Sequence, residues 1–168
     1  MRRILAPLAA FALVASLTGC QKETPAPAAP VEETPAAPAA PATVTAVEIT
    51  ANDALQFGTT AFTVKAGTDV TVTLKNIGTQ PKEAMGHNFV VLNAGTDVAA
   101  FAASAMTAKD TDYVPAGSTD VLAHTKVLGP GETEALTFKA PTTPGEYTFI
   151  CSFPGHSGTM KGVMTVVE

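Results

Sequence analysis

Apolar and polar residues alternate with a period of two through much of residues 44–168. Val70, Val72 and Leu74 alternate with Thr71 and Thr73, so one face of this strand is buried and the other exposed. Residues 44–50 and 61–64 read as strands ahead of it. Phe89-Val90-Val91-Leu92 is a continuous apolar run, the pattern of a strand in the middle of a sandwich. Residues 121–128 and 132–138 read as two strands joined by Gly129-Pro130-Gly131. Pro144-Gly145 introduces another over 146–151, and 163–167 form the last. One segment departs from the period. Thr96-Asp97 caps a helix in which Val98, Phe101, Ala102, Ala105 and Met106 recur at helical spacing, and Phe101 and Met106 are expected to pack against the sheets. Short runs of Val, Thr, Phe and Ile broken by Gly, Pro, Asn and Asp indicate an all-β fold with one short helical insertion.

The first 43 residues follow no such pattern. Met1-Arg2-Arg3 is a positive start, and residues 4–17 are apolar but too short to span a bilayer easily. Leu17-Thr18-Gly19-Cys20 resembles a bacterial lipobox, which makes 1–19 a lipoprotein signal peptide and Cys20 the acylated residue; the alternative is an ordinary secretory leader containing a cysteine. Several acyl chains give the stable anchoring that one does not. No Asp stands at position 21, which resembles outer-membrane rather than inner-membrane lipoproteins. Residues 20–43 then form a linker of mostly Ala and Pro. Such a composition cannot build a core and is expected to stay disordered, with at most ~70 Å of reach at ~3.1 Å per residue. A passive spacer is the favoured reading over a recognition motif.

Of the 168 residues, those from 44 onward are enough for one domain with one core. Both arginines lie in the leader, so the mature chain sets 8 lysines against 15 acidic residues, a side-chain balance of −7. That argues against nucleic acid as a partner and for solubility, a solvated acidic surface being the simplest meaning of the charge. Of the 2 cysteines, an acylated Cys20 leaves Cys151 unpaired, and an unpaired thiol in an exported protein is a liability unless it is used.

Cys151-Ser152-Phe153-Pro154-Gly155-His156-Ser157-Gly158-Thr159-Met160 supplies that use. It places a thiol, an imidazole and a thioether on one loop, because Pro154-Gly155 stops a helix from running through it. With one more histidine these are the ligands of a type 1 (blue) copper site, and Met85-Gly86-His87-Asn88-Phe89 offers His87. Zinc is the main rival, since Cys and His also serve it, but a thioether is a poor zinc ligand.

The two segments Cys-Ser-Phe-Pro-Gly-His-Ser-Gly-Thr-Met-Lys-Gly and Met-Gly-His-Asn-Phe resemble the copper loops of the azurins, bacterial cupredoxins. The likeness covers residues 44–168 and includes Asn52-Asp53 with Gln56-Phe57, and His124-Thr125-Lys126. An Ala/Pro-rich tether also precedes the domain in lipid-modified azurins of Gram-negative outer membranes. The resemblance implies an eight-stranded Greek-key β-sandwich with one copper ion near one end. Cys151, His87 and His156 would form its trigonal plane, with Met160 the long axial ligand and the Gly86 carbonyl a weak one opposite. Asn88 would bridge the two loops, and Asn88 and Phe153 would offer backbone N–H groups to the Cys151 sulfur. His156 would be the electron port, its ring edge at solvent, within an apolar docking patch of Leu55, Ala84, Met85, Phe153, Pro154 and Gly158. His124 would be a surface histidine. Azurins also tie their first strand down with a disulfide; Thr45 and Thr68 stand in the matching places here. Phe89 replaces a common Trp, and the titrating histidine that some azurins carry before the Met85 segment is missing.

These features imply a monomeric, membrane-anchored carrier of single electrons, cycling Cu(II)/Cu(I) in the periplasm or at the outer membrane. Its partners would be redox proteins such as a c-type cytochrome, a nitrite reductase or a peroxidase. The alternative is a copper-binding or scavenging surface lipoprotein without an electron-transfer role. A copper oxidase or nitrite reductase needs further histidines for a second centre, and the chain has 3 in all, so it is expected not to be an enzyme.

Overall fold

The computed structural model describes residues 42–168. The expected signal peptide, Cys20 and most of the linker lie outside the described residues. Among the described residues nine strands make two sheets that face each other across one core, with two helices and a short 3-10 turn between strands. In chain order the strands are β1 (Ala46–Asn52), β2 (Gln56–Phe57), β3 (Ala61–Lys65), β4 (Asp69–Asn76), β5 (Val90–Leu92), β6 (Val121–His124), β7 (Thr133–Lys139), β8 (Gly145–Ile150) and β9 (Lys161–Val167). The helices are α1 (Lys82–Met85) and α2 (Val98–Ala105).

One sheet runs β2-β1-β4-β7 and the other β3-β9-β8-β5-β6. The pairs β1–β4 and β3–β9 are parallel, and the others antiparallel. The count exceeds the eight strands implied by the resemblance because β2 and β3 belong to different sheets. Between them Gly58 donates its N–H to the Thr50 carbonyl at 2.9 Å. A side chain there would collide with Thr50 Oγ1, so glycine lets the segment leave one edge for the other.

The alternation in β4 survives intact. Val70, Val72 and Leu74 are fully buried and Thr71 and Thr73 half-buried. Phe149 on β8 anchors the core, with Phe57, Phe62 and Phe89 at centroid distances of 5.7, 5.6 and 5.1 Å; each such pair contributes ~1 kcal/mol beyond its buried area. The apolar run before and through β5 is buried on both sides. Phe89 and Val91 belong to this core, while Val90 and Leu92 pack with Ile150, Phe101 and Ala105 in a second cluster under α2.

Asp97 caps α2 as expected, its Oδ1 accepting from the N–H groups of Ala99 and Ala100 at 2.9 and 3.0 Å. Met106, expected to pack, is 58% exposed beyond the end of the helix. The strand expected over 121–128 stops at His124, which is exposed. Thr125 turns inward and its hydroxyl accepts from Phe89 N–H at 3.0 Å, while the N–H groups of Lys126 and Val127 go to the carboxylates of Glu134 and Asp112. Helix α1 is four residues long with none of them buried, so it carries no periodic signal in the sequence.

Candidate metal centre

The site is assembled from two segments that meet at one end of the sandwich. The first is the turn after α1. Gly86 has extended backbone (φ −70°), so its lack of a side chain is a matter of space. A Cβ would collide with Val127 Cγ1 and lie 2.7 Å from the Lys82 carbonyl oxygen. His87 follows, outside any strand but pinned like one. Its N–H donates to the Leu128 carbonyl at 3.1 Å, and its carbonyl accepts from Leu128 N–H at 2.7 Å.

The second segment leaves β8 at Cys151. Cys151 N–H donates to the Met160 carbonyl at 3.0 Å and Met160 N–H donates to the His156 carbonyl at 2.9 Å. The loop therefore closes on itself, with both ends and its middle tied together. Gly155, at φ +83°, allows the reversal at little cost.

Cys151, His87 and His156 come together with their ligand atoms within 4.8 Å of one another. Cys151 Sγ lies 4.0 Å from His87 Nδ1 and 3.5 Å from His156 Nδ1. Bond lengths of ~2.0 Å to nitrogen and ~2.3 Å to sulfur at ~120° would separate S and N by about 3.7 Å; the two distances straddle that value. Cys151, His87 and Met160 are fully buried and His156 is 4% exposed. The Met160 side chain belongs to the same buried cluster as Cys151 and Phe153. His87 Nε2 is buried with no hydrogen-bond partner among the described residues, and the backbone of Asn52 favours the protonated ring.

Burial governs the charges. It pushes the Cys151 thiol up to about 11, partly offset by the backbone N–H groups of Asn88 and Phe153, which favour the thiolate. Burial lowers His156 to about 4, helped by the neighbouring His87. It also lowers His87, against the pull of the Asp53 carboxylate. At neutral pH the three are thus an uncharged thiol and two uncharged imidazoles, and a bound cation must displace the thiol proton.

Asn88 joins the two segments: its Oδ1 accepts from Ser152 N–H at 2.8 Å, and its Nδ2 donates to Ser152 Oγ at 2.8 Å and to the Asp112 carbonyl at 2.8 Å. Ser152 Oγ in turn donates to the Tyr113 carbonyl at 2.7 Å. Asp112 and Tyr113 are left-handed at φ +57° and +56°, a strain of order 1 kcal/mol or more each held by these bonds. Nothing in the sequence marked this corner. Its rings continue the site: Tyr113 lies 5.0 Å from Phe153, which lies 4.7 Å from His156.

The residues expected to form a docking patch differ in exposure. Ala84 and Gly158 are exposed, Leu55, Met85 and Pro154 half-buried, and Phe153 buried.

A two-sheet β-sandwich holding a buried thiol and two imidazoles in one cup, with a thioether in the loop that forms it, defines a cupredoxin. The chain belongs to the copper binding proteins of the plastocyanin/azurin family, matched over residues 43–167, and its cofactor is copper. It is 46% identical over 122 residues to the azurin of Alcaligenes faecalis, spanning 70% of this chain and 94% of that one. It is 44% identical over 125 residues to outer membrane protein H.8 of Neisseria meningitidis serogroup B, spanning 73% of this chain and 68% of that one. Among solved structures, reduced auracyanin of Roseiflexus castenholzii is 42% identical, with a TM-score of 0.69 over 76% of this chain and all of that one. An azurin of Methylomonas sp. strain J is 30% identical, with a TM-score of 0.66 over 73% of this chain and 98% of that one.

Proposed function

We propose that this chain carries single electrons between redox proteins of the bacterial cell envelope, anchored through Cys20. The convergence of Cys151, His87 and His156 in a buried, preformed cup carries the reading, because such a cup limits rearrangement between two oxidation states. Copper supplies the one-electron Cu(II)/Cu(I) couple. Cys151 provides the thiolate, and the N–H groups of Asn88 and Phe153 spread its charge and tune the potential. His87 and His156 would hold the ion through Nδ1 beside the Cys151 sulfur, and the Met160 thioether and the Gly86 carbonyl would be its weaker donors.

His156 is the port, and its 4% exposure leaves a narrow window. Leu55, Ala84, Met85, Phe153, Pro154 and Gly158 form the apolar patch on which a partner rests. A small apolar contact suits brief electron-transfer encounters, and a c-type cytochrome, a nitrite reductase or a peroxidase are the partner classes. The protein works as a monomer and not as an enzyme. The likeness to a protein named as an outer membrane protein supports an outer-membrane location, with the domain in the periplasm or at the surface.

The test is copper loading followed by voltammetry and fractionation. The loaded chain should turn intensely blue when oxidised and bleach reversibly with one electron per copper. Colourless copper, or copper that exchanges electrons only sluggishly, would favour a scavenging lipoprotein. Cys20→Ser should release the protein from membranes; a variant that stays bound would show that another element anchors it.

A further inference from the structure

The Leu128 carbonyl accepts two hydrogen bonds. His87 N–H donates one at 3.1 Å and Asn76 Nδ2 the other at 3.1 Å. Asn76 is the last residue of β4 and is 1% exposed. Its remaining groups are also engaged. Oδ1 accepts from Gly78 N–H at 2.8 Å, its backbone N–H donates to the Glu132 carbonyl at 3.0 Å, and its carbonyl accepts from Gly131 N–H at 3.0 Å. Such a side chain has one position. The loop beyond it is fastened from the other side, where Asp53 Oδ2 accepts from the Thr79 N–H at 2.8 Å and from its hydroxyl at 2.9 Å. Gly78 sits between the two. A Cβ there would collide with Asp53 Oδ1 and lie 3.0 Å from Asn76 Oδ1.

We infer that Asn76 is a positioning residue for His87, its side-chain amide fixing the Leu128 carbonyl that in turn fixes the His87 backbone. His87 lies outside the strands, so the usual ladder does not hold it. A two-bond bridge to Leu128 could slide if Leu128 were free. Asn76 ties Leu128 to the end of β4, which is paired on both sides by β1 and β7. The ligand is thereby referred to the most buried part of the fold. The consequence for the potential rests on the electron-carrier reading; the positioning itself does not.

Asn76→Asp separates the bonds. Burial favours the protonated carboxyl, which could donate to Leu128, so the variant is measured above the titration of its carboxyl as followed by carbon-13 NMR. The carboxylate then still accepts from Gly78 but cannot donate to Leu128. In the metal-free full chain, amide exchange at His87 and Leu128 should quicken at least tenfold, with Val72 and Ile49 unchanged. In the copper-loaded chain the Cu(II)/Cu(I) affinity ratio should change at least threefold, about 28 mV at ~59 mV per decade for one electron. A merely structural role would quicken exchange throughout and leave the potential alone. Unchanged exchange at His87 together with an unchanged potential overturns the inference. If Asn76→Asp does not fold, the wild-type chain decides. One Asn76 side-chain amide proton should show coupling to the Leu128 carbonyl carbon and exchange at least tenfold slower than a free amide; a free amide overturns the inference. A wild-type chain that failed to turn blue would defeat the electron-carrier reading, while His87 exchange would still decide this one.

Discussion

His87 and Leu128 exchange both backbone hydrogen bonds, at 3.1 and 2.7 Å, although neither lies in a strand. An antiparallel bridge of one residue pair therefore sets the height of one imidazole above the core. Cys151 is set by the end of β8 and His156 by the loop that follows it. The three ligand atoms are held by three different devices, and each can be disturbed separately.

Cys151→Ser should abolish the blue colour, because an alkoxide is not a thiolate and the charge transfer needs sulfur. The hydroxyl is smaller and equally buried, so the fold should persist. Visible absorption and far-UV circular dichroism on the same sample check both halves. A blue Ser variant would remove Cys151 from the site.

Met160→Gln should keep copper and lower the reduction potential, since an oxygen donor favours the oxidised ion more than a thioether does. Met160 is fully buried, so a polar side chain there should also cost ~1–3 kcal/mol of metal-free stability if it finds no partner. Voltammetry gives the first quantity and denaturant melts the second. An unchanged potential would mean that Met160 is not axial.

Copper affinity should rise with pH. The Cys151 thiol is held at about 11 and must lose its proton on binding, so affinity should grow about tenfold per pH unit from roughly pH 5 to 9. His156 adds a second proton only near its value of about 4. The same histidine makes the metal-free fold sensitive to acid. Its folded value lies below the ordinary 6.5, so the unfolded chain takes the proton first. That stability is present above pH 6.5 and is lost as pH falls toward 4. Copper titrations and denaturant melts across this range check both signs; affinity independent of pH would show that the thiol is already ionised.

Thr45 and Thr68 stand where azurins carry a disulfide, and a loop of about twenty-three residues would gain ~3 kcal/mol from closure. The register changes the expectation. Ala46 pairs with Thr71, so Thr45 faces Val70, two residues past Thr68. Two residues at ~3.3 Å along and ~4.8 Å across give a Cα separation near 8 Å, beyond the ~7 Å that a disulfide spans without backbone movement. Thr45→Cys with Thr68→Cys should therefore close only with a shift of the strand start and raise the metal-free stability by less than ~3 kcal/mol. The potential should not move, because the pair is at the far end of β1. Melts of the oxidised and reduced variant decide it, and a full gain would show that the turn at Gly67 brings the two closer than the register implies.

The loop from Cys151 to Met160 was legible because its chemistry lies in one stretch, and three ligand types within ten residues leave few other uses. Val70, Val72 and Leu74 were legible because one face of β4 meets the core and the other does not. Asp97 was legible as a cap because the next turn needs an acceptor. The end of β6 was not. Lys126 and Val127 look like strand residues, and what removes them from the ladder is Glu134 and Asp112, distant carboxylates that take their N–H groups. Asn76 was equally hidden. A polar residue at the end of an alternating run reads as a loop, and only the fold reveals that its amide faces a carbonyl 52 positions away. The corner at Asp112 and Tyr113 escaped for the same reason, since left-handed backbone without glycine leaves no compositional trace.

Strand β1 gives the domain a polarity. Its Ala51 lies beside Asn76 and so at the pole that holds His87, while Ala46 lies beside Thr71 at the other. Five steps from Ala46 to Ala51 at ~3.3 Å each put about 17 Å between the two. The first residue of β1 therefore lies at the end of the strand away from His87. The strand thus works as a spacer, and a disturbance at its first residue is a whole strand's length away from the ligands.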